Sequence, residues 1–191
     1  MSKQPTKSNA QGQYTPHVFR AVTPWIGLGA VFIVVLLIVV LLVNHWKDKA
    51  PPPPQLTTQL VTLGDQSYTL ELALTDNARR TGLMYRESLP KNGGMLFVFP
   101  DRDLRQMYMK NCRIPLDVLF IDQTDDAGKI IMIHRMTVPD PDTPTHRLRK
   151  YSSAAKCQFA IELAGGSAHK LGLAEGDTID LPYDRLKQRA R

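Results

Sequence analysis

Residues 116–136 read LDVLFIDQTDDAGKIIMIHRM: two apolar runs, Leu116–Ile121 and Lys129–Met136, joined by the acidic turn Asp122–Gly128. Runs of this length, rich in isoleucine, valine and phenylalanine and bounded by Asp and Gly, read as two β-strands. The same grammar continues on both sides. Leu60–Leu63 and Tyr68–Leu74 flank Gly64-Asp65-Gln66 as a second hairpin. Thr75 caps a short helix over Asp76–Thr81 that Gly82 stops, and Met95–Phe99 forms a strand ended by Pro100. Three prolines make Pro139–Pro144 a loop. Gln158–Leu163 is a strand with Phe159, Ile161 and Leu163 on one face and Glu162 on the other. Ser167 caps one helical turn ending at Gly172, and Thr178–Leu181 closes the domain. Seven or eight short strands with one or two short helices predict a mainly β sandwich or barrel over residues 56–183. A basic C-terminal tail, 184–191, follows.

The N-terminal quarter has a different character. Trp25–Val43 is nineteen residues without a charge; as a helix it is about 28 Å long, close to the bilayer's hydrocarbon thickness. Trp25 and Trp46 stand at its two ends, so residues 25–46 are assigned as a transmembrane helix whose partner is the lipid bilayer. The exit, Asn44-His45-Trp46-Lys47-Asp48-Lys49, lacks a small-x-small cleavage site, which favours an anchor over a removed signal peptide. Lys3, Lys7 and Arg20 precede the span without an acidic residue, placing a cytoplasmic basic tail at 1–24. Residues 47–55, with Pro51–Pro54, form a stiff Pro-rich linker. The expected location is the plasma (inner) membrane, single-pass, with the C-terminal domain periplasmic or extracellular.

Composition narrows the functional classes. The chain has 191 residues, 43% apolar, with a net charge of +6. Residues 1–49 hold five basic and one acidic side chain, so +4 of that +6 lies outside the β domain. The remaining +2 gives no nucleic-acid footprint. There is no G-x-S-x-G, H-E-x-x-H, C-x-x-C or phosphate-binding glycine loop. The histidines at 17, 45, 134, 146 and 169 share no ligand spacing, so no metal and no cofactor is expected. Ser153-Ala154-Ala155-Lys156 fits S-x-x-K, but it abuts a strand and lacks its companion motifs. Met84, Met95, Met107 and Met109 are a soft-metal set or core filling. Asp117 and Glu162 are an acid–base pair, or two carboxylates that each meet an arginine such as Arg86 or Arg113 or accept backbone N–H bonds. Cys112 and Cys157 form a disulfide or are two small buried side chains.

The blocks Gly82-Leu83-Met84-Tyr85-Arg86, Gly93–Phe99, Tyr108-Met109-Lys110-Asn111-Cys112, Ile114-Pro115-Leu116-Asp117, Phe120-Ile121-Asp122, Ile161–Gly165 and Gly176-Asp177 resemble domain-of-unknown-function family 192. The resemblance spans about residues 55–182. It implies a small jelly-roll-like sandwich or barrel and carries no established activity. The chain departs from the family pattern at Tyr108, Cys112 and Cys157. The recurring polar positions map onto Arg86, Asn111, Asp117 and Glu162, which with Met109 form the candidate binding cleft; the competing role is an internal network that fixes loops. The functional expectation is a membrane-anchored binding or accessory module for an envelope ligand or protein. The alternatives are a hydrolase using Asp117 and Glu162, and a structural interaction protein with an exposed apolar patch. Fusing to the C-terminus an enzyme active only outside the cytoplasm should give active colonies; silence there, with activity of a cytoplasm-dependent reporter, would reverse the topology.

Overall fold

The computed structural model describes residues 32–42, 56–124 and 127–191. Residues 32–42 form helix α1, with side chains exposed all round. Among the described residues no helix is long and apolar enough to cross a membrane. The other residues of the expected span, 25–31 and 43–46, lie outside the described residues, as do the tail 1–24 and the linker 47–55.

In the β domain, alternation of apolar and polar residues makes Thr58–Leu63 (β1) and Gln66–Ala73 (β2) an antiparallel pair in which Leu63 faces Gln66. The loop is therefore two residues, with Gly64 at φ +60° in its first position, where a II′ turn takes glycine. Helix α2 (Asp76–Thr81) follows; Thr75 accepts from the Ala78 N–H at 3.2 Å and Gly82 ends it, as the sequence predicts. The helix carries the chain over to Gly93–Met107 (β3), which runs parallel to β2. Leu116–Thr124 (β4) and Ala127–Met136 (β5) form the second predicted hairpin. A 3₁₀ turn at Thr145–Arg147 leads to Tyr151–Ala164 (β6), then Ser167–Lys170 (α3), Thr178–Ile179 (β7) and Tyr183–Arg189 (α4).

The strand order is β1-β2-β3-β6-β4-β5-β7, a single nearly closed, barrel-like sheet with one parallel pair. The barrel half of the expectation holds; two stacked jelly-roll sheets do not form. Pro100 does not end β3, because the ladder to β6 shifts between Val98 and Asp103 and resumes, so the missing proline N–H falls in the irregular stretch. Ser153–Lys156 lies inside β6 with Ala154 at φ +60°, not on a helix. The segment expected to be a basic tail is α4, which buries Leu186.

Each face of the central strands carries its own core. Leu96, Val98, Leu119, Ile121, Phe159, Ile161 and Leu163 point into the barrel, where Tyr183 and Leu186 join them. Met95, Phe97, Val118, Phe120 and Ala160 form the outer face, covered by Ala78, Leu83 and Met109. Phe97, Phe120 and Phe159 are at most 1% exposed, each contributing about 2–3 kcal/mol of burial. The barrel end is held by Tyr183, whose hydroxyl donates to the Ile179 carbonyl at 2.5 Å and whose ring packs edge-on to Phe159. A Cβ at Gly128 would lie 1.9 Å from that hydroxyl. Gly128→Ala should therefore cost about 2 kcal/mol, read as a thermal midpoint several degrees lower; an unchanged midpoint would disprove this packing.

Candidate functional site

Strand β6 is hydrogen-bonded on both edges, and its register sets Glu162 between Met95 of β3 and Val118 of β4. Side chains alternate across a strand, so Glu162 shares the outer face with Ala160 while Ile161 and Leu163 fill the barrel. Its neighbours there are apolar. Glu162 is 5% exposed, and among the described residues it has no hydrogen-bond or ion-pair partner. Burial pushes its carboxyl up to about 8, so at neutral pH it is mainly the uncharged acid.

The carboxyl faces a cavity of about 440 Å³ between α2, the chain after it and the second half of β3. Leu83, Met84, Phe97, Phe99 and Met107 supply apolar walls, with Cys112 beside Glu162. Four cations border the cavity: Arg79, Arg80, Arg105 and Lys110. Two are committed. Arg79 donates to Asp76 at 2.6 Å and to the Leu74 and Val98 carbonyls, and Arg105 donates to Asp101 at 2.7 Å while lying 4.3 Å over the Phe99 ring. The Arg80 and Lys110 side chains have no hydrogen-bond or ion-pair partner among the described residues.

Two loops wall the cavity, and they lock onto each other through residues held in left-handed backbone. Tyr85 has φ +64° and Asn111 φ +53°. The Tyr85 N–H donates to the Asn111 carbonyl at 2.8 Å, and the Asn111 amide donates to the Tyr85 hydroxyl at 2.6 Å. Left-handed conformations at non-glycine residues cost on the order of 1 kcal/mol each and persist only where surroundings impose them. Bidentate Arg86–Glu71 contacts, at 2.5 and 2.7 Å, tie the first loop to β2, and Arg113 binds Glu87.

The five residues of the predicted cleft therefore separate. Glu162 lines the cavity. Asn111 lines a neighbouring hollow of about 450 Å³ that shares Lys110 and Cys112 with the first. Met109 is packed in the outer core, and Arg86 is a strut to Glu71. Asp117 has the opposite parity to Val118 and points to the barrel side, where its Oδ2 accepts from the Ala168 N–H at 2.9 Å. With Asp117 and Glu162 on opposite sheet faces, the two do not share a reaction site. Neither meets Arg86 or Arg113.

Both cysteines are free thiols, not a disulfide. Cys157 is fully buried opposite Asp103, whereas Cys112 sits in the loop wall beside Glu162. Burial, with the Glu162 charge adding to it, pushes the Cys112 thiol up to about 12, the reverse of an activated nucleophile. Ser153 is fully buried and donates to the Ala155 carbonyl at 2.5 Å, so S-x-x-K builds no serine–lysine couple. Among the described residues no three His, Cys, Asp or Glu side chains gather as a metal site. Arg80 and Arg105 escape sequence reasoning because isolated basic residues carry no periodic signal; Lys110 falls in the block Tyr108–Cys112 but is not among the site residues expected from it.

A family model described as Uncharacterized ACR matches residues 59–181, nearly the whole β domain. The chain belongs to the DUF192 family. The search of curated proteins gave no match. Two crystal structures are similar to this DUF192 chain. A Sinorhizobium meliloti 1021 protein, named as a candidate transcription regulator, is 33% identical over 64% of this chain and 90% of its own, with a TM-score of 0.52. A Novosphingobium aromaticivorans DSM 12444 protein of unknown function is 26% identical over 70% and 91%, with a TM-score of 0.56.

The raised Glu162 carboxyl gives the DUF192 domain a pH signature. In the unfolded chain the group returns to its ordinary 4.5. Its contribution is thus fully present below pH 4.5 and is lost, by about 1.4 kcal/mol per unit, as pH rises toward 8. Thermal unfolding of the full chain and of Glu162→Gln should then give curves that approach each other near pH 5 and diverge up to pH 8, the wild type falling. Parallel curves would refute the buried, unpartnered acid.

Proposed function

We propose that this DUF192 chain is a single-pass, membrane-anchored binding module whose β domain stands outside the cytoplasm and holds a small envelope ligand in the Glu162 cavity. The uncharged run 25–43, helical over 32–42, and the flanking lysines and arginine support the anchor and its direction. The observation that carries the binding reading is the unpartnered, 5% exposed Glu162 carboxyl facing a cavity with apolar walls. The Glu162 oxygens are not sealed from the cavity, so a ligand there can hydrogen-bond to the carboxyl in place of water, in surroundings that are otherwise apolar. A cavity of about 440 Å³ suits a small organic molecule. The thiol and serine chemistry above favours binding over covalent catalysis.

Native mass spectrometry of the full chain, extracted from its own membranes in mild non-ionic detergent, should show a small-molecule adduct. Met84→Trp, which fills the cavity from a half-buried wall position, should abolish it while circular dichroism stays unchanged. An adduct equally abundant in the folded variant, or no adduct in either, would overturn the reading.

A further inference from the structure

The charge arrangement at this cavity constrains what it takes, on the reading that it is a binding site. Asp76 and Asp101 are each bound to a cavity arginine, at 2.6 and 2.7 Å, so both acid–base pairs cancel locally. The charges left over are Arg80 and Lys110, both positive and both without a partner among the described residues. Apart from these groups and the buried Glu162 the lining carries no ion, and Leu83, Phe97, Met84 and Met107 are among its apolar members. A neutral carboxylic acid is a hydrogen-bond donor as well as an acceptor. A ligand cation would meet two uncompensated positive charges; a ligand anion would meet, of its own sign, only Asp76 and Asp101, each already paired with an arginine.

We infer that the Glu162 cavity takes an organic anion with a short apolar body, its anionic group held by Arg80 and Lys110 and a hydroxyl or carbonyl oxygen at its inner end bonded to Glu162. Three matched probes separate these elements: 6-hydroxyhexanoate carries both ends, hexanoate lacks the inner oxygen, and 6-aminohexan-1-ol reverses the charge. Full-length protein in non-ionic detergent, labelled at the methionine methyls, reports on occupancy through the Met84 and Met107 signals.

6-Hydroxyhexanoate should shift both signals. It should bind roughly five-fold more tightly than hexanoate, the effect of one hydrogen bond, and about ten-fold more tightly than the amino alcohol. The Arg80→Ala, Lys110→Ala double variant removes one exposed and one half-buried side chain, neither with a partner among the described residues, so its circular dichroism should match the wild type while it weakens binding of 6-hydroxyhexanoate about ten-fold, as two partly exposed ion pairs would. Half-molar salt should weaken it similarly. Equal or tighter binding of the amino alcohol, or a double variant with unchanged affinity, would overturn the anion assignment. Failure here is distinguishable from failure of the binding reading: a cationic or uncharged molecule found in the native adduct sinks this inference and leaves the cavity as a site.

Discussion

Strand β6 is the member on which the architecture depends, because it alone joins β3 to β4 and has apolar cores on both of its faces. In that position a side chain has no route to bulk water except through a cavity. Glu162 occupies it. Every other feature of the site follows from the need to surround one buried acid: Met95 and Val118 beside it in register, the loops after α2 and after β3 above it, and the arginines at the margin.

The covering loops are held by polar contacts as well as by the packing of Leu83 and Met109. Tyr85 and Asn111 accept unfavourable backbone geometry in order to bond each other, and Arg86 reaches across to Glu71 with both of its terminal nitrogens. Arg86 and Asn111 thus tie the loops together, while the cavity is lined by thioethers, aromatic rings, one thiol, the buried Glu162 and, among its charged groups, two arginine–aspartate pairs. Rigid walls lower the ordering cost a ligand meets on binding.

Where the structural signal is local, the sequence is transparent. Alternation marks both hairpins, and Thr75 with Gly82 marks α2, because turn and cap chemistry acts over a few residues. Long-range facts are not written in any one segment. Asp117 shares parity with Leu119, and Glu162 with Ala160, but only the register between β4 and β6 shows that these are opposite faces. The run of β3 past Pro100 depends likewise on its ladder with β6. Of the predicted cleft residues, Glu162 between Ile161 and Leu163, and Asp117 between Leu116 and Val118, have neighbours that already imply a carboxyl beside a core. Arg80, exposed beside the cavity, has no such local mark.

The order of the strands bears on how the nascent chain survives. Until residues 151–164 emerge from the ribosome, β3 and β4 belong to separate half-sheets, each with an open hydrogen-bonding edge bearing Leu96–Val98 or Val118–Ile121. Such edges template pairing with other chains. A polypeptide halted before β6 would therefore be two sticky fragments on one string, in need of a chaperone, and the arrival of a single strand converts them into a closed wall.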